Sequence, residues 1–196
     1  MLGARKSEVQ QILLLICRSK NYGSVVPRGK GPSGMSPSVV CGSAAGCGGM
    51  GKIFTHRLRV RYSECDQQGV VFNGHYLFFY DVALTEFWRA AVCGPDEMVG
   101  AGYDLVVAEA RIRYREGARF DDLVDVEMPV AHLGTTSMVV RPRFVVGGRL
   151  MADGEVRHVF VDPGSKSKRE MPGDVRAALA PYLEETGQVA GTGSGS

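Results

Sequence analysis

The stretch YSECDQQGVVFNGHYLFFYDVALTEFWRAA, residues 62–91, decides how the rest of the chain is read. It opens with two acids around a cysteine, passes a glycine, and runs into a long apolar segment. From about Gly74 to Val92 no breaker occurs, and Asp81, Thr85 and Arg89 recur every four residues as one narrow polar stripe. That pattern predicts a mostly buried helix, about 27 Å long at 1.5 Å per residue. Asp66 falls three residues before Gly69, where a strand ends and this helix is about to begin. A helix start offers unpaired backbone N–H donors, and a carboxylate beside it tends to stay ionised. The placement suits chemistry better than packing.

On either side the period changes. Phe54, Leu58, Val60 and Tyr62 alternate with Thr55, Arg57, Arg59 and Arg61, which predicts a strand wet on one face. Gly94-Pro95 stops the helix, and four strands are expected at about 103–115, 123–133, 136–146 and 149–161. Gly147-Gly148 joins the last two as a two-residue hairpin, because both positions can take positive φ. Residues 171–185 read as a short terminal helix. One strand, one long helix and four mostly antiparallel strands make an α+β fold in which a five-stranded sheet curls around the central helix. A single sheet leaves open edges, so a homodimer or homotetramer is expected.

The chain of 196 residues, 44% hydrophobic and 22% charged, fits one globular domain with something appended. More than half of residues 23–51 are Gly, Ser or Pro, a composition that cannot repay the entropy of ordering. Residues 1–49 are therefore expected to be a disordered extension, 50–185 the domain, and 186–196, ending GTGSGS, a flexible tail. Residues 1–49 hold six Lys/Arg and one acid, a net of +5, which leaves 17 basic and 20 acidic residues, net −3, for the remainder. A nucleic-acid surface would need a basic face on the domain itself, so that class is excluded. The basic, nearly acid-free extension is read either as an organellar transit peptide or as translation from upstream of Met50. Its apolar run ILLLIC is too short for a membrane span, and no membrane partner is expected. Cys17, Cys41 and Cys47 precede the domain, which keeps only Cys65 and Cys93, so there is no disulfide framework. His56, His75, His132 and His158 are scattered without metal-ligand spacing. The expectation is a cytoplasmic protein without metal or other cofactor.

Three segments together resemble a known family: VRYSECDQQGVVFNGHYLFFYDVALTEFWR (60–89), IRYREGARFDDLVDVEMPVAHLGTTSM (112–138) and VFVDPGSKSKREMP (159–172). They are similar to the hotdog-fold acyl-CoA thioesterases, in the branch of 4-hydroxybenzoyl-CoA thioesterase, through the pattern D-x-x-G-V-V-[YF]-x-x-x-Y ahead of a long helix. The resemblance covers residues 50 to about 185. It implies a hotdog fold, an acyl-CoA substrate, and active sites at a dimer interface. It implies that Asp66, in Tyr-x-x-x-Asp, is the catalytic carboxylate, and that the backbone N–H of Asn73 polarises the thioester carbonyl. Gly69, Val70, Phe72 and Tyr76, within the same motif, are the implied substrate contacts. Gln67-Gln68 and His75 depart from the commoner family residues.

Thioester hydrolysis needs a carboxylate to attack the carbonyl or deprotonate water, and a donor aimed at the developing oxyanion. A loop acid next to a helix start supplies both from one turn of chain. The bland reading of Asp66 is a turn or capping aspartate. Glu64, on the same side of an extended segment, is the rival acid. Glu86 is placed among apolar helix positions, where a buried acid needs a partner, either a structural hydrogen bond or a role in the site. His75 is a first-turn imidazole with the same two readings, and His75 with Glu86 is the only pair that would serve a hydratase or dehydratase on this fold. A non-catalytic acyl-binding subunit is the third possibility. Arg111, Arg113 and Arg115 on one strand face, and Lys166, Lys168 and Arg169 after the last strand, are either solvated or grip the phosphates of CoA. Cys65 reads as an inert packed thiol.

Overall fold

The computed structural model describes residues 51–184; the expected extension and tail lie outside the described residues. Strand β1 (Thr55–Arg59) is followed by a 3-10 turn (Tyr62–Glu64), helix α1 (His75–Ala91) and a short helix α2 (Pro95–Gly100). Strands β2 (Asp104–Tyr114), β3 (Leu123–Glu127), β4 (Val130–Leu133), β5 (Ser137–Val140), β6 (Arg143–Val146) and β7 (Arg149–Val161) come next, and helix α3 (Gly173–Leu179) closes the fold. One antiparallel sheet runs β1-β3-β6-β7-β5-β4, with β2 paired to β7. The long helix packs on one face of this sheet, in agreement with the hotdog expectation.

Five passes of chain make this sheet, and two of them are interrupted. The expected strands 123–133 and 136–146 each break at a proline, Pro129 and Pro142, because proline has no N–H to give a ladder. The two breaks face each other, since Glu127 pairs with Arg143 on one side of them and Val130 with Val140 on the other. Arg141 N–H still donates to the Pro129 carbonyl (3.0 Å), so the hairpin bends there without opening. That bend supplies curl. At Gly154 of β7 an added Cβ would run into the Arg111 carbonyl of β2, so only glycine lets these strands approach so closely. Gly147 (φ 55°) and Gly148 (φ 82°) form the expected hairpin turn.

Helix α1 buries Tyr76, Phe79, Tyr80, Ala83, Phe87 and Trp88, one stripe at helical spacing. It packs on Phe144, Phe160, Met128, Met138 and Met151 from the sheet. Tyr80 Oη lies 2.6 Å from His158 Nε2 in β7, and both side chains are closed off from water. Burial holds the His158 imidazole down to about 3. The opposite face of α1 is less polar than its Asp81-Thr85-Arg89 spacing suggests, for Phe78 is 47% and Val82 48% exposed. Helix α2 was not expected; Pro95 starts it at a position where a missing N–H costs nothing, with Asp96 and Glu97 in its first turn. The terminal helix is shorter than 171–185 and gives way to a 3-10 turn at Ala180–Tyr182. The Tyr182 ring meets Phe87 edge to face at 4.9 Å.

Candidate active site

Asp66 opens a tight turn. Gly69 N–H donates to the Asp66 carbonyl (3.0 Å), Asp66 N–H donates to the Val70 carbonyl (2.9 Å), and Gly69 takes φ 76°, which glycine adopts without strain. The Asp66 carboxylate is half-buried, and its Oδ1 accepts the Gln68 N–H at 2.8 Å. It thus fastens its own turn and caps no helix amide. Phe72 N–H donates to the Glu64 carbonyl (2.9 Å) and Val71 N–H to the Ala118 carbonyl (2.8 Å), so the loop 64–72 is pinned to itself and to the segment after β2. Glu64, the rival acid, turns back to accept the Arg61 N–H at 2.7 Å. Burial, then the charges of Asp66 and Glu64, pushes the Cys65 thiol up, which keeps it protonated and unreactive.

The loop delivers the chain to a helix start that no side chain caps: Gly74 is the N-cap, with φ −65° and ψ −26°. Among the described residues no acceptor faces the Asn73 N–H. The Asn73 carbonyl accepts the Tyr114 hydroxyl at 3.0 Å. His75 N–H donates to the Phe72 carbonyl (2.9 Å), and its ring is surrounded by Phe72, Phe78 and Phe79 at centroid distances of 6.2, 5.5 and 6.5 Å. Together these residues put a carboxylate with spare acceptor capacity and an amide without an acceptor on one short loop.

The other expected residues divide. Val70 and Phe72 lie on the same loop, with Phe72 51% exposed and Val70 packed against Gly117. Val70, Glu116, Gly117, Arg119, Asp122 and Arg149 line an open cavity of about 530 Å³ next to the loop, but Asp66 itself does not line it. Tyr76, expected to touch substrate, is 2% exposed, and its hydroxyl accepts the Ala118 N–H at 3.3 Å, an anchoring role in the core. Glu86 pairs with Arg89 on the helix surface and is not the buried acid its spacing suggested. It lies eleven residues beyond His75 in the 17-residue α1, about 16 Å along the axis, so within one chain the two cannot work as an acid–base pair. Arg113 pairs with Asp153 at 3.2 Å on the sheet face away from α1, since Tyr114, its neighbour, faces Tyr76.

Lys166 pairs with Asp104 at 2.9 Å, the Arg169 guanidinium donates to the Gly102 carbonyl, and Lys168 bridges to Val161. All three are therefore at the Asp104 end of β2, whereas Asn73 is tied to its Tyr114 end. The strand has 11 residues, which separates the two ends by about 33 Å. Within one chain the basic cluster is far from Asp66. Tyr114 is the site residue that the sequence did not offer; a tyrosine on a period-two strand carries no signal of a contact 41 positions away. No group of three or more His, Cys, Asp or Glu among the described residues could hold a metal ion.

Comparison with known proteins agrees with the fold. Residues 60–179 match the model of the thioesterase-like superfamily. The acyl-CoA thioester hydrolase YbgC of Escherichia coli O6:H1 is 29% identical over 126 residues, covering 64% of this chain and 94% of the relative. A solved structure from Thermus thermophilus, the hypothetical protein TT1821, superposes with TM-score 0.62 at 28% identity over 68% of this chain and all of that one. Slr0204 of Synechocystis, a 1,4-dihydroxy-2-naphthoyl-CoA thioesterase, shares the fold with TM-score 0.60 at 17% identity, covering 65% of this chain and 96% of its own.

Proposed function

Since the chain belongs to the thioesterase-like superfamily, we propose that it hydrolyses an acyl-CoA thioester to a carboxylic acid and free CoA, with Asp66 as the catalytic carboxylate. The observation that carries this reading is the loop itself. A carboxylate with one oxygen engaged by its own turn and an amide without an acceptor share the short loop that leads into an uncapped helix start. A thioester carbonyl directed at that amide gains a donor worth about 10²–10³ in rate as its oxygen becomes charged. Asp66 drives the attack, either by adding to the carbonyl or by taking a proton from water. By both routes the C–S bond breaks, one water is consumed, and the products are the carboxylic acid and CoA as the thiol.

The reading extends to a homodimer or homotetramer. The free edge of β2, with Phe78 and Val82 exposed on α1 and Phe72 exposed beside the site, supports a second copy as the cover. Two β2 edges paired antiparallel about a two-fold axis bring the Asp104 end of one strand to the Tyr114 end of the other. The partner's Lys166, Lys168 and Arg169 then face the site at which this chain's own cluster cannot arrive, where they grip the phosphates of CoA. No helix among the described residues is long and apolar enough to cross a membrane, and the cysteines Cys65 and Cys93 are free, in keeping with a cytoplasmic enzyme.

A thiol reagent that reports released CoA, applied across short, long and aromatic acyl-CoAs, tests the activity. Asp66→Asn is expected to lower kcat by about 10²–10⁴. Full turnover in that variant overturns the assignment. Sedimentation of the full chain at micromolar concentration is expected to show a dimer or tetramer, and a clean monomer refutes the shared site.

A further inference from the structure

We propose that Tyr114 is a positioning residue for the reaction, its hydroxyl holding the Asn73 carbonyl so that the Asn73 N–H keeps its aim at the thioester oxygen. This rests on the thioesterase reading above and adds a residue to it. The peptide group that carries the Asn73 N–H is fixed on its Phe72 side, where the Phe72 carbonyl accepts the His75 N–H at 2.9 Å and the Phe72 N–H binds the Glu64 carbonyl at 2.9 Å. On its other side the chain passes through Asn73 and Gly74, and neither amide has an acceptor among the described residues. The Gly74 carbonyl accepts the Leu77 N–H at 3.2 Å and so belongs to the helix, whereas the Asn73 carbonyl is held by the Tyr114 hydroxyl at 3.0 Å.

The phenol is well placed for this work. Tyr114 is the last residue of β2, fixed by the ladder through its pairing with Ala152. Its ring meets Tyr76 edge to face at 5.5 Å, and Tyr76 is itself held by the Ala118 N–H. The sheet, the helix and the loop therefore converge on one hydroxyl. The ring is still 50% exposed, so water could satisfy the hydroxyl equally well, and stability alone gives little reason for the contact. Burial pushes the Tyr114 phenol up, which keeps it a donor through the neutral range. A hydrogen bond weakens steeply as its angle falls below about 120°, so a small rotation at Asn73 costs much of what that amide gives an oxyanion.

Tyr114→Phe removes the hydroxyl and keeps the ring. With whichever acyl-CoA the unaltered chain turns over fastest, kcat is expected to fall about tenfold. KM should stay within about twofold and the melting midpoint unmoved, because the interaction matters in the transition state and not in binding or folding. An unchanged kcat overturns the proposal, as does a rise in KM at constant kcat, which would make Tyr114 a substrate contact. Should Tyr114→Phe fail to fold, 3,5-difluorotyrosine at position 114 keeps the hydroxyl and brings its pKa near neutrality. In that protein kcat should decline as the phenol loses its proton, and a profile matching the unaltered chain overturns the inference. Asp66→Asn run in parallel separates the two levels. If it is inactive while Tyr114→Phe is normal, only the positioning role falls. If the unaltered chain releases no CoA from any thioester, the hydrolase reading falls and takes this one with it.

Discussion

Two aspartates in this molecule open turns, and they are used in opposite ways. Asp162 accepts the Ser165 N–H (2.7 Å), the Gly164 N–H (3.1 Å) and the Ser165 hydroxyl (2.9 Å), all on Oδ1. Asp66 accepts one amide, from Gln68. The hydrogen bonds from Ser165 and Gly164 hold the Asp162 carboxyl below the usual carboxylate range; its negative charge is consumed in shaping the 162–169 loop. Asp66 shapes its turn with one amide and keeps acceptor capacity to spare, on the loop that leads into an uncapped helix start. Two similar local motifs differ in what remains after the turn is made, and that remainder is what chemistry can use.

The largest test of this contrast is the pair of properties measured on Asp66→Asn. Asparagine Oδ1 still accepts the Gln68 N–H, so the melting midpoint should hold while kcat falls about 10³-fold. Equal losses in both would make Asp66 a structural residue like Asp162.

The fully closed Tyr80–His158 pair extends the comparison to a polar group with no remainder at all. His158 has a folded-state pKa of about 3 against an ordinary value of 6.5, so the unfolded chain takes up the proton first. Stability is then complete above pH 6.5 and declines as pH falls through the window from 6.5 to 3. The slope is about 1.4 kcal/mol per pH unit, or about 2 kcal/mol lost by pH 5. Urea melts at pH 7.5 and 5 should show this, and His158→Gln should reduce the difference. An identical difference in the variant would remove His158 as the cause.

The smallest effect is expected at Asp162→Ala. It loosens the loop bearing Lys166 and Arg169, and should raise KM for acyl-CoA a few-fold, roughly 2–5 times, with kcat held. A loss of kcat in place of a rise in KM would separate that loop from phosphate binding.

Legibility in the sequence followed the range of the interactions involved. Helix α1, the Gly147-Gly148 hairpin and the long strands β2 and β7 depend on neighbours in sequence, and period and turn chemistry were enough to find them. Pro129 and Pro142 were visible too, but a strand pattern strong on both sides of each hid the break, and only the facing register shows that they form one bend. Asp66 was conspicuous as an acid before a helix start, whereas its catalytic reading and the choice of the Asn73 amide came from the resemblance to the thioesterases, since no period or turn signal marks one backbone amide. Tyr114 meets Asn73, and His158 meets Tyr80, across separations of 41 and 78 residues, which no local pattern encodes. The basic cluster at 166–169 was legible as charge. Its position at the far end of β2 from Asn73 was not, because it follows from the direction in which the strands pair.

The bare N-cap at Gly74 sets thermal robustness against turnover. A Ser, Asp or Asn at a helix N-cap commonly adds about 1 kcal/mol by occupying the first amides. At Gly74 that gain would draw on the same few hydrogens that the proposed mechanism reserves for the substrate, and a new side chain would also press on the Phe72 ring, 3.1 Å from where its Cβ would stand. Selection for heat resistance alone would fill this vacancy. A chain that must keep those amides for a substrate does better with glycine there.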